Sequence, residues 1–309
     1  MSSAGTLTKL TQRLSEIEGV VVREGEPLAH HTSFGIGGPA DLLVTPSNVE
    51  ALQGLMRVLT EAGVRPAILG NGSNTIVRDE GVRGVVIRIA GTLSRIHTEG
   101  TLAIVEAGAT LASICFYCAQ HGLAGLEFAA GIPGTLGGGL IMNAGANGGE
   151  MADITEWVEL VEPDGTIKRL EAADIDFDYR HSSLRDEPGV IVRAGLRLQP
   201  CDSREVHQRL CDTIAVRCAK QPVSRPSAGC IFKRPLGDYA GRLLEEAGAK
   251  GMRVGSAAVS DKHANFMVNL GGATADDVLK LIEEARELVH DKFGVWLEPE
   301  VCVLGEDSN

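Results

Sequence analysis

The stretch Gly131–Gly145, GIPGTLGGGLIMNAG, decides how this chain is read, because it packs six glycines and a proline together without one charge. Glycine has no Cβ, so its backbone reaches left-handed conformations and close approaches, at an entropy cost that a plain strand does not bear. N–H groups gathered this way suit an anion, above all a phosphate. A tight turn between two strands is the plainer explanation of one such run. A second run, PAILGNGSNTIVRD at Pro66–Asp79, shifts the balance. Its apolar Ala67-Ile68-Leu69 reads as a buried strand stopping at Gly70-Asn71-Gly72-Ser73-Asn74. Two donor-rich loops can hold a diphosphate from both sides. Neither is the dinucleotide fingerprint or a P-loop, since GNGSNT lacks the third glycine and no GxxxxGK[ST] occurs.

With 309 residues, 44% of them apolar and 4% aromatic, the chain has room for two ordinary domains. No window approaches the ~18 apolar residues of a membrane span, and MSSAGTLTKL lacks a basic-then-apolar signal pattern, so a cytoplasmic protein is expected. Seven cysteines, at 115, 118, 201, 211, 218, 230 and 302, form no disulfide framework. The CxxC of Cys115 and Cys118 lies in an apolar helical pattern with nothing to complete a zinc shell, so it reads as helix core and no metal is expected. A net charge of −12 argues against a nucleic-acid or membrane partner. Residues 217–262 run against that trend, with nine Lys/Arg and four acids. Several of these charges flank Gly/Pro-rich loops, as a local anion site requires.

Residues 47–62 predict a helix with the capping box Ser47-x-x-Glu50, feeding the 67–69 strand and another at 84–89. Strands are expected at 102–107 and 191–198, with a helix over 110–121 between them. Beyond Pro200 the spacing predicts helices over 203–219, 239–247 and 274–292, the last capped by Thr274, and strands at 264–269 and 301–304.

Four segments hold polar residues that are costly unless used: Tyr179-Arg180-His181-Ser182, Arg217-Cys218-Ala219-Lys220, SAGCIFK at Ser227–Lys233, and LEPEV at Leu297–Val301. With HTSFGIGGPAD, LGNGSN, IPGTLGG, MNAGA and KHANF, all in consistent order from His30 to Gly305, they resemble the UDP-N-acetylenolpyruvoylglucosamine reductase family. No single piece is specific; the combination is.

The resemblance implies an α+β fold. Residues 1–200 would form an FAD-binding region of the vanillyl-alcohol-oxidase-like type, with subdomains about 1–83 and 84–200. Residues 201–309 would form a substrate domain whose last residues return to the N-terminal part. It also implies non-covalent FAD, NADPH as co-substrate and a UDP-sugar substrate in peptidoglycan precursor synthesis. Hydride passes from NADPH through FAD to C3 of an enolpyruvyl ether, and C2 takes a proton. By the family pattern Arg180 and Glu300 stabilise the enolate-like charge and Cys230 protonates C2. FAD would be held by Gly70, Asn71, Gly72, Ser73, Asn74, Gly134, Thr135, Gly138, Gly139, Asn143 and Gly145. Lys220, Lys233, Arg234, His263 and Asn265 would face the nucleotide substrates.

Elementary chemistry agrees with these roles. A fixed guanidinium suits charge spreading over C2 and a carboxylate, whereas Glu300 helps only if it holds a proton. The family more often has serine where this chain has Cys230; a thiol, with a reference pKa of about 8.5, is a competent donor but an oxidisable one. The interval from Arg180 to Gly189 lacks the tyrosine-bearing insertion of one family branch, which leaves open how substrate is covered. Two alternatives stand beside this reading: an FAD-dependent alcohol or lactone oxidase, tethering its cofactor through His30 or His31, and a non-catalytic flavin or UDP-sugar sensor.

Overall fold

Asn48 starts an amphipathic helix: its Oδ1 accepts the Ala51 N–H at 2.8 Å, and Leu52, Leu55, Met56 and Leu59 form the buried stripe. Ser47, the expected cap, sits one residue early, and its own N–H donates to Gly19 O. The computed structural model describes residues 3–305. Its helices are α1 (Ser3–Ser15), α2 (Val49–Glu61), α3 (Leu111–Gln120), α4 (Leu136–Ile141), α5 (Ser203–Lys220), α6 (Ala240–Ala247) and α7 (Ala275–Phe293). The 110–121, 203–219, 239–247 and 274–292 expectations thus correspond to α3, α5, α6 and α7. The glycine-rich stretch is not all loop, since α4 forms inside it.

The chain forms two units interleaved in sequence. The first takes the chain up to Glu24, Leu42–Asn71 and Gly84–Ala215; the second takes Gly25–Asp41, Gly72–Arg83 and the chain from Val216 on. A boundary is expected at residue 200; by contacts the chain divides inside α5, and two short N-terminal segments belong to the second unit. Such segments are held by hydrogen bonds to residues some 200 positions away, which local periodicity does not register.

In the first unit a five-stranded antiparallel sheet has the order Ile167–Glu171, Thr155–Val161, Val190–Arg197, Leu102–Glu106, Ile96–Glu99. A four-stranded sheet, most but not all of whose residues belong to this unit, has the order Val20–Pro27, Pro39–Pro46, Val82–Arg88, Ala67–Leu69, the last two parallel with Leu69 beside Arg88. One core joins α2 and α3 to the inward residues of these strands, including Val44, Val85, Ile87, Val105 and Val158. Cys115 and Cys118 lie in it, as the helix reading expected. Burial raises both thiols, Cys118 to about 12, so neither is a reactive thiolate.

The second unit packs α6 and α7 with a three-stranded antiparallel sheet of Arg253–Val254, Ala257–Val259 and Met267–Asn269. Helix α7 begins as expected: Thr274 Oγ1 accepts the Asp277 N–H at 3.1 Å. Asp79 completes the cap from far upstream, its two carboxylate oxygens accepting the Ala275 and Asp276 N–H groups at 2.9 and 3.0 Å. A negative charge at a helix N-terminus both satisfies orphan donors and opposes the macrodipole. The final strand, Cys302–Leu304, pairs in parallel with Thr75–Val77.

Candidate active site

In the first unit the glycine-rich stretch builds the seat of Arg180. Arg180 and Tyr179 form the turn of a small hairpin between Phe177–Asp178 and His181–Ser182. Arg180 takes φ +57, a left-handed conformation that costs a residue with a Cβ about 1–2 kcal/mol. The neighbouring stretch holds it there. Asn143, buried and itself at φ +40, donates from Nδ2 to Asp178 O at 3.2 Å, and its Oδ1 accepts the Ala152 N–H. The buried Ser182 hydroxyl donates to Leu140 O at 2.8 Å, and Arg180 Nη1 donates to Gly145 O at 3.2 Å. Asn143 and Gly145, expected against the cofactor, therefore have the direct task of fixing the Arg180 turn.

The two glycine runs meet in this unit. A Cβ on Gly70 would stand 2.8 Å from the Oγ1 of Thr135, which is itself buried. The missing side chain at Gly70 is what lets its backbone lie against the Thr135 hydroxyl, so the two glycine runs meet through the backbone of one and a side chain of the other. Fewer donors are available than the sequence suggested, however. The N–H groups of Gly137 and Gly139 go to Ala107 O and Thr135 O, and that of Gly138 reaches Thr135 Oγ1 at 3.4 Å. Gly139 serves packing, with Leu111 3.5 Å from its missing Cβ. Gly134, at φ +142, and the exposed Asn71 lie at the edges of the two loops.

In the second unit the Gly72–Asn74 arc is a hub. Gly72 O accepts the Ser33 N–H at 3.2 Å, and Ser33 Oγ donates to Ser227 O at 2.7 Å. A Cβ on Gly72 would stand 2.4 Å from His31 O, so only glycine fits. Ser73 O lies 4.0 Å from where Gly229 would carry a Cβ. Asn74 Nδ2 donates to Glu300 O at 3.1 Å, and Asn74 O accepts the Cys302 N–H at 2.9 Å. The loop expected to hold the cofactor is thereby bonded to segments carrying Cys230 and Glu300. Ser33 has this bridging part without any local signal, because its partner is 194 residues away.

Cys230 and Glu300 lie on adjoining extended segments. Phe232 bridges Pro299, Glu300 N–H donates to Ile231 O at 2.7 Å, and Lys233 N–H donates to Glu298 O at 2.9 Å. On its other side Cys230 bridges Phe266. Asn265 secures this arrangement: its Oδ1 accepts the Phe232 N–H at 2.9 Å and its Nδ2 donates to Phe232 O at 2.8 Å. The side-chain amide of the buried Asn265, expected at the nucleotide, is thus bonded to the Phe232 backbone. Arg217 lies in the electrostatic neighbourhood of Cys230, which opposes the lowering of its pKa by burial.

The remaining candidates differ in freedom. Lys220 is exposed at the C-terminal end of α5. Lys233 Nζ pairs with Glu298 at 2.6 Å, and Arg234 lies over the Tyr239 ring at 4.4 Å. His263 accepts the Asn265 N–H at Nδ1 and packs edge-on against Phe266. Arg242 is spent on Asp238 and Glu246, and Lys250 on Glu245, so part of the local positive excess is neutralised in place. Among the described residues no His/Cys/Asp/Glu group could hold a metal ion, and no helix is long and apolar enough to cross a membrane.

Comparison with known proteins agrees with this layout. Residues 40–171 match the FAD binding domain model, and 221–304 match that of the UDP-N-acetylenolpyruvoylglucosamine reductase C-terminal domain. The chain is 46% identical over 286 residues to UDP-N-acetylenolpyruvoylglucosamine reductase 2 of Symbiobacterium thermophilum, covering 93% of each chain. It is 42% identical over 300 residues to the Bacillus subtilis reductase, covering 97% of this chain and 99% of that one. The crystal structure of the Thermus caldophilus reductase superposes with a TM-score of 0.78 at 38% identity, covering 92% of this chain and 98% of that one. Identity of this extent along both compact units leaves one assignment: the chain belongs to the UDP-N-acetylenolpyruvoylglucosamine reductase family.

Proposed function

We propose that, in the reduction of the enolpyruvyl group of UDP-N-acetylenolpyruvoylglucosamine to UDP-N-acetylmuramate with NADPH, Arg180, Cys230 and Glu300 carry the chemistry. The chain is an FAD-dependent oxidoreductase of peptidoglycan precursor synthesis. FAD, when bound, relays hydride from NADPH to C3 of the substrate alkene. Gly70, the loop after it and Thr135 are the residues that would hold it, where the two glycine runs meet.

Hydride addition at C3 leaves negative charge over C2 and the carboxylate. A guanidinium whose backbone is fixed before substrate arrives meets that charge without reorganising, which is how electrostatic catalysis gains its effect. Arg180 has that fixed backbone. Cys230 gives the thiol proton to C2, and the thiolate recovers a proton from water. Glu300, in its protonated form, donates a hydrogen bond to the same charge. Lys220, Lys233 and Arg234 supply cations for the UDP diphosphate. A cytoplasmic location follows the same reading, because NADPH, nucleotide sugars and reduced thiols share that compartment.

The observation that carries this reading is the 2.7 Å bond from Glu300 N–H to Ile231 O, which fixes the acid beside the residue after Cys230. The test is anaerobic spectroscopy of the purified yellow protein. NADPH should bleach it, and adding the enolpyruvyl substrate should restore the colour. Recovery only on admitting oxygen would favour an oxidase; colour unaffected by NADPH would favour a sensor.

A further inference from the structure

We propose that Arg88 is a phosphate-binding residue of the first unit and engages the diphosphate of FAD. The proposal rests on the reading above that the chain holds this cofactor. Its starting point is the register of two parallel strands: Leu69 pairs beside Arg88, so Ala67–Leu69 and Val82–Arg88 end together. The first glycine loop leaves the sheet at Gly70, the next residue after Leu69. Ligands of sheets with parallel strands collect outside the carboxyl ends of those strands. Arg88 stands at that end.

The alternation of the strand separates Arg88 from the core. Val85 and Ile87 belong to the apolar cluster with α2, whereas Val86 and Arg88 lie on the other face. The Arg88 side chain extends toward the strand's end, with Nη1 3.8 Å from where Gly91 would carry a Cβ. Its Nε is buried, and among the described residues it has no hydrogen-bond acceptor. No carboxylate of the described residues pairs with it. The charge that bears on it is a second cation, Arg23, and burial followed by Arg23 holds the guanidinium below its ordinary pKa. A partly dehydrated cation beside another cation, with its buried Nε unbonded, is favoured by an anion that takes the missing place. The geometry of an arginine fork matches phosphate oxygens.

Two phosphates could be the guest: the diphosphate of FAD, or the 2′-phosphate of NADPH. The neighbouring Gly70–Thr135 approach favours the first. Holoenzymes carrying Arg88→Gln and Arg88→Lys should be diluted and FAD release followed by flavin fluorescence. Loss of one charge-assisted hydrogen-bonded contact predicts release at least about 10-fold faster in Arg88→Gln. Arg88→Lys, which keeps charge but not the fork, should fall between the two and reports alone if Arg88→Gln does not fold. Wild-type release rates in both variants would overturn the proposal. So would unchanged FAD release with a lost preference for NADPH over NADH, which would give Arg88 to the other phosphate. A wild-type protein that binds no flavin would instead overturn the cofactor reading itself.

Discussion

Arg180 and the Cys230–Glu300 pair are held by opposite devices. In the first unit Arg180 sits at a left-handed φ of +57, kept there by side chains bonded to backbone: Asn143 to Asp178, Ser182 to Leu140 and Arg180 to Gly145. In the second unit Cys230 and Glu300 lie on relaxed extended segments tied by backbone bonds, with Asn74 and Asn265 as side-chain clamps. The strained residue is the one assigned to stabilise charge, where a preset position matters most. The proton donor, by contrast, needs its proton and a reachable carbon more than a fixed angle. Strain at the first site and regularity at the second are what their proposed tasks require.

The comparison breaks most readily at Cys230. Cys230→Ala should lower steady-state turnover about 10³-fold, within the usual range for loss of a general acid. NADPH should still bleach the flavin in that variant, and Cys230→Ser should keep substantial activity. Single-turnover spectroscopy separates the two half-reactions. Normal turnover by Cys230→Ala would remove Cys230 from the chemistry.

Arg180→Gly sharpens the strain argument because activity and stability should move in opposite directions. Turnover should fall about 10²–10³-fold with loss of the fixed cation. Stability to urea should rise by about 0.5 kcal/mol, since glycine accepts positive φ without penalty and the hydrogen bond to Gly145 O offsets only part of that gain. Arg180→Ala should lose activity with no such gain. Equal stability of the glycine and alanine variants would show that the turn stores no strain.

Asn74→Ala asks whether the loop after Gly70 acts on the cofactor or on Glu300. With the bond to Glu300 O gone, reduction of substrate should slow roughly 10-fold, the value of one or two buried hydrogen bonds. Bleaching by NADPH and FAD retention should change little. Faster FAD loss with normal substrate reduction would return Asn74 to the cofactor role that its sequence context suggested.

Elements and motifs differ in how far the sequence exposes them. Apolar periodicity located α2, α3, α5, α6 and α7 within a residue or two because each buries one stripe. It did not find Val20–Pro27, Pro39–Pro46 or Thr155–Val161, whose patterns mix charges with apolar residues or lack turn punctuation. The glycine motifs were visible, but their partners were not. Whether an N–H faces a ligand or Ala107 O depends on contacts across tens of residues, as the Gly137 N–H shows. The Asn265 bonds to Phe232 are invisible for the same reason: an amide that grips a backbone 33 residues away carries no local signal. Arg88 carries no functional signal in the sequence because it ends an apolar strand and belongs to no motif.

The smallest effect concerns His263, near the clamp of the Cys230 segment. Burial, and then Lys250, lower its pKa, while Glu245 opposes them; Asn265 and Phe266 are its uncharged neighbours. Its Nδ1 accepts the Asn265 N–H, so the folded chain favours the neutral ring with the other nitrogen protonated. The unfolded chain takes up a proton on this residue near pH 6.5, whereas the folded chain does so only at lower pH. Below that point the unfolded state binds more protons, and stability must fall as pH falls. Above it both states are neutral and His263 adds no slope. Denaturant unfolding of His263→Gln should therefore follow wild type at pH 7.5 apart from a constant offset, and decline less steeply between pH 6.5 and 5. An unchanged slope would mean that His263 is protonated equally in both states, and that the Asn265 N–H has another acceptor in solution.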